Sequence, residues 1–178
     1  RVPAGLAMTD AAGLLVPFMT AWHALAEIGR LAPGERVLIH AGAGGVGLAA
    51  IQVARLLGAE PFVTAGSPLK RAFLRAHGVR HIFDSRNADF VHGVMRATAG
   101  RGVDVLLNSL SGDLLLAGFD GLAPGGRFIE LGKRDIEEDA KIGLRPFRRG
   151  LTYAAVDLSQ LGATPRFAAV VEQVAGFV

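Results

Sequence analysis

The chain has 178 residues, 51% of them hydrophobic and 20% charged, with a formal net charge of +3 and no cysteine. That length suits one domain with a sizeable core, and the balance excludes a disordered chain. Disulfides and thiolate metal sites are excluded outright, and so small a positive charge does not by itself imply nucleic acid.

The apolar opening over residues 2–25 is interrupted by Asp10, Pro17 and His23, which argues against a secretory signal or a membrane span. A cytoplasmic setting is the default expectation. The chain begins at Arg1 without Met and ends at Val178 within a helical pattern, as a piece of a longer polypeptide would. Residues 1–33 lack strand alternation and read as a helical lead-in. Thr9-Asp10 before Ala11, Ala12 and Leu15 predicts a capped helix ending before Pro17, and a second helix over 18–31 places Trp22, Leu25 and Ala26 on one face.

Residues 36–40 carry the branched run Val37, Leu38, Ile39, a buried parallel strand followed by Gly42-x-Gly44-x-x-Gly47. From Val46 the apolar residues recur at Ala49, Ala50, Val53, Ala54 and Leu57, a helix that Gly58 stops. Because this helix starts inside the turn, the backbone of Gly42, Gly44, Gly45, Val46 and Gly47 forms an anion site suited to a dinucleotide pyrophosphate. An ordinary strand-to-helix turn is the plain alternative.

A second strand over 61–65 leads to Ser67-Pro68, a cap and first-turn pair opening a helix whose apolar face reads Leu69, Ala72, Phe73 and Ala76. A short third strand over 81–84 precedes a helix with Phe90, Val91, Val94 and Met95. Residues 103–108 form a fourth strand, and Ser111 caps a helix running through Leu115 and Phe119. Pro124-Gly125-Gly126 turns into a fifth strand over 127–131. Residues 133–150 form a polar excursion, 151–156 a sixth strand, and from Pro165 the pattern returns to helix. Strands alternating with helices give a single α/β domain over 1–178, a Rossmann-type doubly wound parallel six-stranded sheet with helices on both faces.

An NAD site of this kind carries Asp or Glu about 20 residues beyond the glycines. Here the stretch is Thr64-Ala65-Gly66-Ser67, followed by Lys70 and Arg71, with Arg86 past the third strand. A hydroxyl and cations suit a 2′-phosphate, so the expected cofactor is NADP(H). The bland reading, solvated charges at a helix start, weighs most on Arg71, Arg75 and Arg80. At the carboxyl ends of the later strands stand Asn108-Ser109-Leu110, Gly132-Lys133 and Asp157. Lys133 and Asp157 beside a hydride donor could hold a carbonyl, orient the cofactor or deliver a proton, although such residues are more often surface charges. His77 and His81 have ligand spacing, but Gly78 lies between them and no further ligand completes a set, so no metal is expected. His40 is expected to make a hydrogen bond at the end of the first strand. No hydrolase motif appears, and the basic run 70–80 lacks exposed aromatics because Phe73 lies on the core face of its helix.

The succession VLIHAGAGGVG, GSPLKRAFLRAHG, DSR at Asp84 to Arg86, GVDVLLNSLSG, GGRFIELGKRDI and AVDL at Ala155 to Leu158 resembles the enoyl reductase domain of modular type I polyketide synthases. The related domain of animal fatty acid synthase shares the pattern, within the medium-chain dehydrogenase/reductase superfamily. The resemblance runs from Val2-Pro3 through Met19-Thr20-Ala21-Trp22 to about Leu158, and NSL with LGK is its specific part. It implies NADPH-dependent reduction of an α,β-unsaturated thioester on an acyl carrier protein, within a megasynthase of neighbouring domains. It places Lys133 and Asp157 as proton donors or helpers, Thr20, Asn108, Ser109, Leu110 and Gly132 along the nicotinamide, and Ser67, Lys70 and Arg86 at the 2′-phosphate. It also implies no zinc, a homodimer through the edge of the sixth strand, and a GroES-like substrate domain that this chain does not contain. Binding of NADPH with little or no turnover is therefore expected of the chain alone. The competing readings are a zinc-free quinone oxidoreductase of the same superfamily and a non-catalytic dinucleotide-binding or dimerisation module.

Overall fold

The computed structural model describes residues 8–161, with side chains from Gly13 to Ser159. Six strands form one all-parallel sheet in the order β3-β2-β1-β4-β5-β6. They are β1 (Arg36–Ile39), β2 (Glu60–Thr64), β3 (His81–Phe83), β4 (Val103–Asn108), β5 (Leu122–Glu130) and β6 (Thr152–Ala155). The strand order reverses direction between β1 and β4, which opens a crevice at the carboxyl ends of those strands, where doubly wound sheets bind ligands.

Strand alternation sorts the core into two layers. Val37, Ile39, Val63, Val105, Leu107 and Ile129 face one cluster with helices α2 (Gly45–Leu56) and α3 (Pro68–Ala76). Leu38, Phe62, Leu106 and Phe128 face the other, with α4 (Asp89–Ala97) and α5 (Asp113–Gly118). Both faces of the sheet are therefore covered by helices, as the alternating pattern requires.

The lead-in differs from its prediction. One helix, α1 (Met8–Trp22), runs through Pro17 and continues as a π-helical segment, His23–Ile28. It is already under way at Met8, so Thr9 does not cap it. Proline removes the hydrogen bond to the carbonyl four residues back. Here that residue is Gly13, which is exposed, so water can serve the carbonyl, and the Thr20 hydroxyl adds a bond to Val16 O of 2.8 Å. The helix lies against the start of α2, where a Cβ built on Gly45 would sit 3.5 Å from Pro17 Cγ.

Three further differences have local causes. Helix α3 is turned away from its predicted face: Leu74 is buried, while Leu69 is 81% and Phe73 43% exposed. Its inner surface carries Arg71, whose guanidinium donates to Ala65 O at 2.8 Å and pairs with Asp84 at 3.0 Å. Phe73 instead packs against the His77 ring at the surface, 4.1 Å between centroids with the planes tilted by 36°, so it is not a core residue. Ser111 does not cap α5; Gly112 holds that position at φ +60°, which suits glycine, and its N–H meets the Asp135 carboxylate at 3.1 Å. Strand β5 starts five residues earlier than expected because the Pro124-Gly125-Gly126 stretch stays in the strand, absorbed by a register shift against β4 between Val103 and Val105. The excursion after β5 contains a short α6 (Arg134–Glu137) and a 3-10 turn, Arg145–Arg149. The helix expected from Pro165 lies outside the described residues.

Candidate functional site

The glycine turn is shaped by what its residues lack. A Cβ on Gly42 would fall 1.9 Å from Val63 Cγ1, and one on Gly47 would fall 2.5 Å from Ala41 O and 2.6 Å from Gly42 Cα. These two glycines let β1, β2 and α2 approach one another. A Cβ on Gly44 would meet only Ala41 O, at 3.2 Å, so this backbone stays open to a ligand. The Gly42 N–H donates to Thr64 O at 2.9 Å, tying the turn to β2. Helix α2 begins at Gly45, with Val46 and Gly47 in its first turn, and has neither a side-chain cap nor an acidic first-turn residue. Its positive end and unpaired N–H groups suit an anion.

The exit of β2 carries no carboxylate. Gly66 follows it, and a Cβ there would lie 3.4 Å from Arg86 Nε and 3.3 Å from Ser85 Oγ, so Arg86 reaches over the position. Ser67 caps α3 by accepting the Lys70 N–H at 3.3 Å, which leaves the hydroxyl proton for another acceptor, and the Lys70 side chain is exposed. Arg71 does not join this group. It is engaged with Asp84, whose carboxyl is held below the usual range by the Arg86 N–H and the Arg71 guanidinium. Asp84, quoted in the family pattern but given no role in the sequence, thus fixes the loop that presents Arg86.

Below this region, His40 is fully buried at the end of β1. Its Nδ1 lies 2.8 Å from Thr64 Oγ1, its ring sits edge-on to Phe90, and its Nε2 has no partner. Burial pushes its pKa down to about 3, so the ring is neutral.

At the β4–β6 end, Lys133 Nζ and Asp157 Oδ2 stand 3.2 Å apart, the lysine 58% exposed and the aspartate 33%. The Ser159 hydroxyl (2.8 Å) and N–H (3.0 Å) grip the other carboxylate oxygen. These bonds, and then Lys133, hold Asp157 below the usual carboxylate range, so it is anionic at neutral pH. Leu158 packs against Met19, as do Phe18 and Trp22, which ties the exit of β6 to the part of α1 that carries Thr20. The Thr20 hydroxyl already donates to Val16 O.

The Asn108 side chain is turned inward. It is wholly buried, accepting from Leu110 N at 3.1 Å and donating to Leu110 O at 2.8 Å and Glu130 Oε2 at 2.6 Å. It shapes the loop on which Ser109 is exposed and Leu110 half-buried. Its partner Glu130 was missed in the sequence, although a carboxylate between Ile129 and Leu131 in an apolar strand was the available signal.

A family model described as "Zinc-binding dehydrogenase" matches residues 45–176. Despite that description, no group of three or more His, Asp or Glu side chains among the described residues is placed to hold a metal ion, and the chain has no cysteine. The chain is 52% identical over 163 residues to the phthioceranic/hydroxyphthioceranic acid synthase of Mycobacterium tuberculosis, a match covering 92% of this chain and 8% of the synthase. It therefore spans less than a tenth of that relative. Among solved structures, the nucleotide-binding subdomain of the enoylreductase domain of PpsC from M. tuberculosis superposes with a TM-score of 0.86 at 46% identity, covering 92% of each chain. CurK enoyl reductase superposes with a TM-score of 0.84 at 39% identity, covering 98% of this chain and 51% of the other. The fold, the glycine turn and these matches lead to one conclusion: the chain belongs to the zinc-binding dehydrogenase family, in the branch formed by the nucleotide-binding subdomains of polyketide synthase enoyl reductases.

Proposed function

We propose that this chain is the NADPH-binding half of an enoyl reductase that saturates the α,β double bond of an acyl chain carried as a thioester on an acyl carrier protein. The observation that carries the reading is the Lys133–Asp157 pair at the carboxyl edge of the same sheet whose glycine turn is built to take an anion. The residues fit the cofactor: Gly42 and Gly47 make the close approach, Gly44, Gly45 and Val46 present bare backbone to the pyrophosphate, and Ser67, Lys70 and Arg86 surround a carboxylate-free position suited to a 2′-phosphate. Arg71 supports that pocket through Asp84 instead of contacting the phosphate.

Bound NADPH supplies the hydride that adds to the β carbon of the enoyl thioester. Negative charge then builds on the thioester oxygen, and the Lys133 ammonium stabilises it or protonates the α carbon. Anionic Asp157 orients that ammonium. In this reading Ser109, Leu110 and Gly132, together with Thr20 of α1, line the nicotinamide end.

The second wall of the active site, a substrate-binding domain, belongs to the rest of the polypeptide, in keeping with the half-length match to CurK enoyl reductase. Strand β6 lies at the edge of the sheet, where pairing with a second copy would cover its open side and give a homodimer. No helix among the described residues is long and apolar enough to cross a membrane, and a cytoplasmic megasynthase is the proposed setting. The test is a titration with NADPH and NADH, followed by an assay of the two-domain enzyme on crotonyl thioester. Binding of NADPH in preference to NADH with NADPH-dependent saturation supports the reading; a clear NADH preference removes the cofactor assignment.

A further inference from the structure

We propose that Glu130 is a positioning residue: its buried carboxylate locks the exits of β4 and β5 together and thereby sets where Lys133 stands. The proposal rests on the enoyl reductase reading.

Glu130 ends β5, is 1% exposed, and lies in register between Asn108 of β4 and Ala155 of β6. One carboxylate oxygen accepts the Asn108 amide at 2.6 Å, and the other accepts the Gly132 N–H. The same amide group also donates to Leu110 O at 2.8 Å, so the carboxylate connects the 108–110 loop to the residue before Lys133. Backbone bonds complete the junction: Leu131 N donates to Asn108 O at 2.9 Å, and Val156 N, one residue before Asp157, donates to Glu130 O at 2.8 Å. A Cβ on Gly132 would lie 2.7 Å from the carboxylate, which leaves that position little freedom.

The chemistry requires a carboxylate. Two donors converge on Glu130, and only a group with two acceptor oxygens satisfies both. Glutamine offers one: when its oxygen meets Asn108, its NH2 faces the Gly132 N–H, and the reverse orientation sets two amide groups donor to donor. No cation among the described residues bonds this carboxylate, and burial raises its pKa despite the hydrogen bonds it accepts. Keeping an unpaired carboxylate inside an apolar sheet weakens stability, so its value lies in the geometry it imposes on the loops.

The test compares the full-length polypeptide with its Glu130→Gln variant by amide hydrogen exchange and by kinetics. Exchange at Leu110 and Gly132 should accelerate while the amides of Gly42 and Leu48, bonded to Thr64 O and Gly44 O, keep their protection. The NADPH dissociation constant should stay near the wild-type value, while enoyl-thioester turnover at saturating NADPH falls on the order of 100-fold, the cost of a misplaced catalytic group. Unchanged exchange at both amides would overturn the proposal, as would a turnover loss that merely follows the folded fraction. If Glu130→Gln does not fold, Asn108→Ala opens the junction from the other side: exchange must rise at Leu110 with Gly132 still protected, and equal protection at both contradicts the proposal. A wild-type protein that fails to reduce the enoyl thioester would sink the reaction reading instead, leaving the exchange result to decide on Glu130.

Discussion

The two ends of the cleft are made by different means. Around β1 and β2 the site consists of backbone and missing side chains: Gly42 and Gly47 bring strand and helix together, Gly44 stays open, and Gly66 leaves space beneath Arg86. Around β4, β5 and β6 it consists of side chains joined across strand exits, with Asn108, Glu130, Lys133 and Asp157 in two bonded pairs. The first end depends on backbone that no side chain fills, the second on strand register. The first should therefore fail through sterics and cofactor affinity, and the second through turnover with cofactor binding intact.

The largest expected effect separates the ends most sharply. Gly47→Ala places a methyl against backbone atoms 2.5 and 2.6 Å away, which cannot move as a side chain would. It should cost about 3 kcal/mol of stability and abolish NADPH binding, as read by denaturant unfolding and cofactor fluorescence. Next, Lys133→Ala in the two-domain enzyme should lower kcat about 100-fold with the NADPH dissociation constant unchanged. Asp157→Asn should produce a smaller loss, because it weakens the orientation of the ammonium without removing the proton. Equal NADPH weakening by both would mean that the pair binds cofactor and does no chemistry.

Within the first end, Lys70→Ala and Arg86→Ala should each weaken NADPH by about 2 kcal/mol, the worth of a charge-assisted hydrogen bond, and leave NADH affinity unchanged. Arg71→Ala should act differently, lowering stability through loss of the Ala65 and Asp84 contacts, with only an indirect effect on NADPH. The smallest effect is on pH dependence. His40 is neutral when folded and its pKa is lowered to about 3. Between roughly pH 6.5 and that value the unfolded chain binds the extra proton, so stability falls with pH by up to about 1.4 kcal/mol per unit. Glu130, with a raised pKa, contributes in the opposite direction, losing stability as pH rises through its folded value. Denaturant titrations from pH 7 to pH 5 should show the His40 slope in the wild type and a flatter line in His40→Leu.

The same contrast explains what could be read from the sequence. The strand, glycine turn and helix over β1 and α2 follow from local pattern, and the absence of a carboxylate after β2 was visible directly. The phase of α3 was not, because nine residues with apolar side chains on one side still turn inward the face that carries Arg71 when Asp84 and Ala65 O await it. Helix α1 passes Pro17 because the bereft carbonyl belongs to an exposed glycine, a circumstance that no local proline rule contains. Asn108 was read as lining the ligand, yet its side chain is turned into the sheet by Glu130, a partner 22 positions away that only register reveals.

In the proposed reading, one sheet edge carries both an NADPH cradle and a proton-delivering lysine. Single-turnover oxidation of NADPH by crotonyl thioester in the two-domain enzyme, wild type against Lys133→Ala, tests it most directly. Full NADPH binding is expected in both proteins, with rapid oxidation in the wild type alone. Equal oxidation rates in the two, or oxidation by NADH in preference to NADPH, would contradict it.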